Sequence, residues 1–427
     1  MNNVTLTVGV LTTLVMALPL GGEAQSRVVL QPTERCRDHS AAAVVTFADP
    51  DLEEVVRAAL SVRAQEDLTC GRVSELTELS VPSGQERVVY GGTLRPSPSQ
   101  PFETLEGIQN LTNLANLSIL NRLITDISPL SELTELRVLS LHTNWISDIG
   151  PLSGLTNLTQ LIISENPITD IRPLAGLTNL TRLHVHGLYP YQLSHFLAYD
   201  DGRDPNVIFN GITDISPLSG LTELTHLRIH LQEISDISPL SSLTGLTHLR
   251  LYDNEITDIS PLRGLTNLKL LWIHDNEITD ISALSEMTDM TQLGLSDNSI
   301  TDISALSEMT SLEYLFLSHN EITDISPLGR LQDVTVLRLE NNRITDVTAL
   351  GSLANLRELG LAHNDALYDV QPLLANEGIG AGDELDLRFT YVACSDMAAF
   401  ERKGVQMLRV TALNGSACPG RRLEDPR

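Results

Sequence analysis

The chain has 427 residues and a formal net charge of −27, with 55 acidic side chains against 28 Lys and Arg. Long-range repulsion at that charge disfavours nucleic acid and anionic membrane surfaces as partners. Four cysteines are compatible with two disulfides in an exported protein.

Residues 1–24 read as a secretory signal peptide. An apolar run, Val8–Leu18, precedes the small-x-small site Gly22-Glu23-Ala24. No Lys or Arg precedes the run, so the α-amine supplies the positive charge. The run is interrupted by Thr12 and Thr13, ends before Pro19, and is short for a spanning helix. The expectation is a secreted, extracellular or periplasmic protein that does not insert in a membrane once mature. Retention at the cell surface stays open.

In residues 25–104, Asp49-Pro50 marks a helix start, with Asp as cap and Pro at the first helical position. Leu52, Val55, Val56, Ala59 and Leu60 then fall on one helical face. Residues 83–103 are polar and proline-bearing and are expected to form a mobile loop.

Residues 105–369 repeat with a period of 22, marked by Asp126, Asp148, Asp170, Asp214, Asp236, Asp258, Asp280, Asp302, Asp324 and Asp346. Each unit carries L-x-x-L-x-L-x-x-N, as in Leu246, Leu249, Leu251 and Asn254, the leucine-rich repeat pattern. Leu249 and Leu251 point inward from one short strand because side chains alternate. The Asn254 amide is placed to bond backbone groups that no sheet ladder reaches. Ser260-Pro261 reads as a helix start with Ser as cap. Asp258 and its equivalents read as turn or cap side chains in preference to a metal ladder. One coil cannot bury its own core, but stacked coils can. The fold class is therefore an α/β solenoid, a curved array of about twelve 22-residue coils with a parallel concave sheet.

The coils start at residues 105, 127, 149, 171, 193, 215, 237, 259, 281, 303, 325 and 347. The first has Arg122 where Asn belongs. The coil at 193–214 is degenerate, with Gly202 and Pro205 at leucine positions. Residues 187–211 are expected to form an irregular loop carrying Tyr189, Tyr191 and Tyr199, with Phe196 and Phe209 beside them. A decayed repeat whose aromatics refill the core is the equal alternative.

Residues 370–427 offer a further strand in GAGDELDL, a short helix in AAFERKGVQML and a strand at Leu408–Val410. Twelve coils at about 4.8 Å per strand separate the ends of the array by roughly 55 Å. Disulfide partners need Cα atoms within about 7 Å. The expected pairs are thus Cys36–Cys70 and Cys394–Cys418, one at each end.

No nucleophile elbow, HExxH, P-loop, CxxC pair or EF-hand loop occurs. The residues beside the strand leucines face the concave surface. They read Arg182-His184-His186, His226-Arg228-His230, His248-Arg250-Tyr252, Trp272-His274 and Tyr314-Phe316. Trp, Tyr and Arg are enriched at binding hot spots. Drift of exposed side chains is the plainer explanation, but clustering on adjacent strands favours a binding face. A metal site on the histidines ranks below it, because Arg228 and Arg250 between them repel a cation. Asp253, Asp275 and Asp297 form at most a weak calcium ladder. No metal and no cofactor is expected.

The period, the ITDISPL and LTNL phrases and the flanks resemble bacterial internalin-type leucine-rich repeat proteins. ADPDLEEVVRAAL and LTELSV resemble their helical N-terminal cap, and residues 370–427 resemble the end of their arrays. The resemblance implies caps at 25–104 and 370–427 that shield the apolar ends of the stack. The regulatory subunit of protein phosphatase 1 shares the repeat length, but it is intracellular. The expectation is a monomeric, non-enzymatic recognition protein binding a protein or glycan through its concave face. A cell-surface adhesion component is the alternative, and an enzyme or metal-binding protein using the concave histidines ranks lower.

Overall fold

The computed structural model describes residues 27–81, 87–90, 93–96, 102, 104–187 and 211–408. The segments 1–24 and 409–427, Tyr189, Tyr191, Tyr199 and Cys418 lie outside the described residues.

Helix α1, Pro50–Ala59, starts as its sequence dictates: the Asp49 carboxylate accepts from the N–H of Asp51 (2.9 Å) and Leu52 (3.0 Å). Leu52, Val55 and Val56 are buried beneath it, while Ala59 is exposed rather than on the buried face. The short helix α2, Cys70–Val73, is tied to Cys36 by a disulfide with Cα atoms 5.4 Å apart. Strand β1, Glu78–Val81, opens the sheet. The expected loop at 83–103 contains an antiparallel hairpin of β2, Arg87–Tyr90, and β3, Thr93–Pro96.

The coils then add one strand each: β4 (Asn116–Ile119), β5 (Val138–Ser140), β6 (Gln160–Ile162), β7 (Arg182–His184), β8 (His226–Arg228) and β9 (His248–Arg250). They continue with β10 (Leu270–Trp272), β11 (Gln292–Gly294), β12 (Tyr314–Phe316), β13 (Val336–Arg338) and β14 (Glu358–Gly360). After the short helix α3, Gln371–Ala375, come β15 (Glu384–Asp386), α4 (Cys394–Arg402) and β16 (Gln406–Met407). Apart from the hairpin, the described strands form one fourteen-stranded parallel sheet in chain order. The final described strand lies at Gln406–Met407, and of the expected strand Leu408–Val410 only Leu408 falls within the described residues. Met397 and Phe400 of α4 are buried at this end of the core, and Cys394 is disulfide-bonded.

One coil shows why 22 residues suffice. After Leu251 the chain turns at Asp253 in the left-handed region, φ 53°. The same turn falls on Asp275, Asp297, Asn341 and His363, residue types that tolerate it. Asn276 then bridges two coils. Its Nδ2 donates to the carbonyls of Leu251 (3.1 Å) and Ile273 (3.1 Å), and its Oδ1 accepts from the N–H of Ile256 (3.0 Å). On the convex side the Asp258 carboxylate accepts from the N–H of Ser260 at 2.8 Å. Ser260 is therefore not the cap but lies inside the turn; Ile259 holds the cap position and Asp258, one residue before it, supplies the side-chain acceptor. That turn, Ser260–Gly264, is a 3-10 helix, because the tighter winding uses fewer residues per turn. Equivalent contacts hold the Asp236, Asp280 and Asp324 carboxyls below the usual range, chiefly through the backbone N–H two residues on.

Two positions depart from the repeat. In the first coil the Arg122 guanidinium lies 5.2 Å over the Phe102 ring and is buried. Gly107, φ 111°, accommodates Phe47, since a Cβ there would come within 2.6 Å of its ring. The degenerate coil departs further. β7 pairs directly with β8, Leu183 opposite Leu227. The coil expected at 193–214 thus adds no strand between them, and Ile212 to Asp214 complete the coil begun at 171. The N–H of Gly187 donates to the His230 carbonyl at 3.0 Å, so the ladder runs on without a gap.

Candidate partner-binding face

Parallel pairing in steps of one coil turns the sequence columns into three rows across the concave face. The first row holds Arg182, His226, His248, Leu270, Gln292 and Tyr314. The second holds His184, Arg228, Arg250, Trp272, Gly294 and Phe316. The third, just past the strands, holds His186, His230, Tyr252 and His274. The structure places the described concave-face candidates of the sequence in these three rows.

Trp272 sits at the centre of the second row. The Arg250 guanidinium lies over its ring at 4.6 Å, a cation–π contact. On the other side Gly294 leaves room: a Cβ there would be 3.6 Å from Trp272 Cγ. Across that space the indole meets Phe316 edge to face, centroids 6.4 Å apart. Tyr314 is exposed at the rim.

Tyr252, expected to face the concave surface, does not protrude from it. It is buried in a stack of rings: His186 on His230 (4.2 Å), His230 on Tyr252 (3.9 Å) and Tyr252 on His274 (4.3 Å). Rings at one offset in successive coils lie a strand spacing apart and so stack, which hides His230 and Tyr252 between neighbours. In the first row His226 and His248 stack likewise at 4.3 Å. The residue before each of them is Thr. The Thr225 and Thr247 hydroxyls donate to backbone carbonyls, both at 3.0 Å, so their oxygens can only accept from His226 and His248 Nδ1–H, at 2.9 Å. That tautomer leaves Nε2 as an acceptor.

Burial is the main force on these imidazoles. It lowers His184 from 6.5 to about 3 and His230 to about 2, with Arg228 and Arg182, and His186 and Arg250, adding repulsion. His186, His226 and His248 are lowered too, first by desolvation. All five are neutral at pH 7, and the charge of the face comes from Arg182, Arg228 and Arg250. Among the described residues no three His, Cys, Asp or Glu side chains are grouped to hold a metal ion. Of the aspartate ladder, Asp275 is engaged by His274 Nδ1 at 2.6 Å. Burial and the neighbouring Asp275 raise Asp253 and Asp297.

One feature escaped sequence reading. A groove of about 380 Å³ lies farther along the same face, beside Phe316, Arg338, Glu340, His363 and Arg388. Its sign in the sequence is the small residue Ala362 at a concave position. Its charges are paired: Arg338 with Glu358 at 2.6 Å and Arg388 with Asp386 at 2.6 Å.

Residues 156–189, 244–286 and 288–330 match the family model for leucine rich repeats in two copies. Comparison with curated protein sequences gives no match. Among solved structures, an internalin (inlF) of Listeria monocytogenes strain 4b F2365 is 30% identical, with a TM-score of 0.69. That match covers 84% of this chain and 95% of the internalin. The functional domain of InlJ from Listeria monocytogenes is 22% identical, covering 81% of this chain and 65% of that one, with a TM-score of 0.52. The plant peptide hormone receptor RGFR1, in complex with RGF2, is 20% identical over 72% of this chain and 54% of its own, with a TM-score of 0.52.

Proposed function

The chain belongs to the internalin-type leucine-rich repeat proteins, and from that premise we propose that it is an exported, non-enzymatic recognition protein. It binds a protein partner through the concave face, with Trp272 as the anchor. The observation that carries this reading is the Arg250–Trp272–Phe316 arrangement, a half-buried indole between a cation and a second ring. Aromatic and Arg side chains in such settings dominate binding energies. The reading includes a signal peptide at residues 1–24, so the mature protein starts at Gln25; N-terminal sequencing of the exported protein tests that part.

The test of the face is a crosslinking pull-down from the native secretome, followed by affinity measurement. Trp272→Ala should weaken binding by about 2 kcal/mol or more. The fold should lose only the cation–π and edge contacts, about 1–2 kcal/mol. Gln160→Ala, on β6 of the same sheet, is the control. Equal affinities for the two variants would remove Trp272 from the interface.

A further inference from the structure

The central cations of the concave face differ from Arg338 and Arg388 farther along it in how they are matched. Many arginines elsewhere sit against carboxylates, among them Arg338 on Glu358 (2.6 Å), Arg388 on Asp386 (2.6 Å), Arg357 on Asp383 (3.1 Å) and Arg343 on Glu321 (3.1 Å), whereas Arg137, Arg263 and Arg402 do not among the described residues. Arg182 and Arg250 have no carboxylate partner among the described residues, and Arg250 rests only on the Trp272 ring. They lie two strands apart, with His226 and Arg228 on the strand between, so roughly 10 Å separates their strands. The imidazoles around them are neutral and add no charge to the patch. In a chain of net charge −27, two uncompensated cations on one concave surface are a local inversion of sign. Surfaces that meet are complementary in potential.

The same patch narrows the source of the matching anion. The His226 and His248 Nδ1–H groups are spent on Thr225 and Thr247, so each ring offers an Nε2 lone pair that can accept from a donor. A polypeptide brings carboxylate side chains and backbone N–H donors together. We propose that the partner docks an acidic polypeptide segment here, its carboxylates on Arg182 and Arg250 and its N–H groups on the exposed imidazole nitrogens. This rests on the concave-face reading above and adds the chemistry of what is bound.

The test uses the full mature protein and three fluorescent probes read by anisotropy at low salt. They are a twelve-residue peptide of repeated Glu-Gly-Tyr, its Gln-Gly-Tyr counterpart, and a sulfated hexasaccharide. The acidic peptide should bind at least about tenfold more tightly than the Gln peptide, despite the net repulsion between two acidic molecules. Arg182→Gln and Arg250→Gln should each weaken the acidic peptide about tenfold, as expected for loss of a charged hydrogen bond. Arg250→Lys should retain part of the affinity, which separates charge from packing on Trp272. Equal binding of both peptides, abolished by Trp272→Ala, would overturn the acidic partner and leave the concave face standing. Preference for the sulfated hexasaccharide would overturn the polypeptide assignment. Binding of the acidic peptide unchanged in both Arg→Gln variants would place it elsewhere and overturn the proposal.

Discussion

Asn320→Ala isolates the contribution of the asparagine ladder. The side chain is 8% exposed. Its Nδ2 donates to the carbonyls of Leu295 (3.0 Å) and Leu317 (3.1 Å), and its Oδ1 accepts from the N–H of Ile300 (3.0 Å). Alanine leaves three buried backbone groups without that partner. Each such group costs about 1–3 kcal/mol, and carbonyls with a second lone pair fall at the low end. The expected loss is thus about 3–5 kcal/mol, taken mainly from the coils on either side because stability in a stacked array is local. Guanidinium denaturation followed by Trp fluorescence measures the total, and hydrogen exchange of peptides spanning β11 to β13 locates it. Asn320→Asp is the sharper comparison. It keeps the acceptor for Ile300 but loses both donors and turns an anionic oxygen on two carbonyls, so it should be at least as damaging as alanine. A loss below about 1 kcal/mol for alanine, or a stable aspartate variant, would refute the account of how the coils are joined.

Three further outcomes follow from the geometry. Replacing Cys36 and Cys70 by Ser removes a link of sequence separation 34 and should cost about 3–4 kcal/mol by loop entropy; a denaturation midpoint unchanged from the parent would contradict it. His184 titrates at its ordinary 6.5 when unfolded but near 3 in the fold, so its contribution is complete above 6.5 and is lost as pH falls toward 3. Stability measured against pH should therefore drop below about 6.5, and His184→Gln should flatten the drop; an equal slope in the variant would count against burial as the cause. Gly378→Ala puts a Cβ 2.1 Å from the Ala354 carbonyl oxygen and should cost about 2 kcal/mol or more. Gly294→Ala, with its nearest neighbour at 3.6 Å, should change melting by less than about 0.5 kcal/mol; similar losses for both would mean that the close approach at Gly378 is not what matters.

The coil was legible because its rules are local and repeat. Leu249 and Leu251 alternate inward, Asn254 follows at a fixed offset, and Asp258 meets the N–H of Ser260 two residues on. A fixed period also sets which residues pair across strands, so the line from Arg250 through Trp272 to Phe316 follows from the period. The repeat motif does not encode where a coil is missing. Leu183 pairs with Leu227 because hydrogen-bonding groups and apolar ends must be matched by whichever coil comes next in space. Nor did pattern alone say that Tyr252 and His230 are hidden, since stacking depends on ring orientation as well as offset. Charge compensation is likewise a property of the assembled face. The composition counts 28 cations against 55 anions, but only folding decides that Arg338 meets Glu358 while Arg250 rests on an indole, because side-chain pairing is settled by neighbours that the chain brings together across coils.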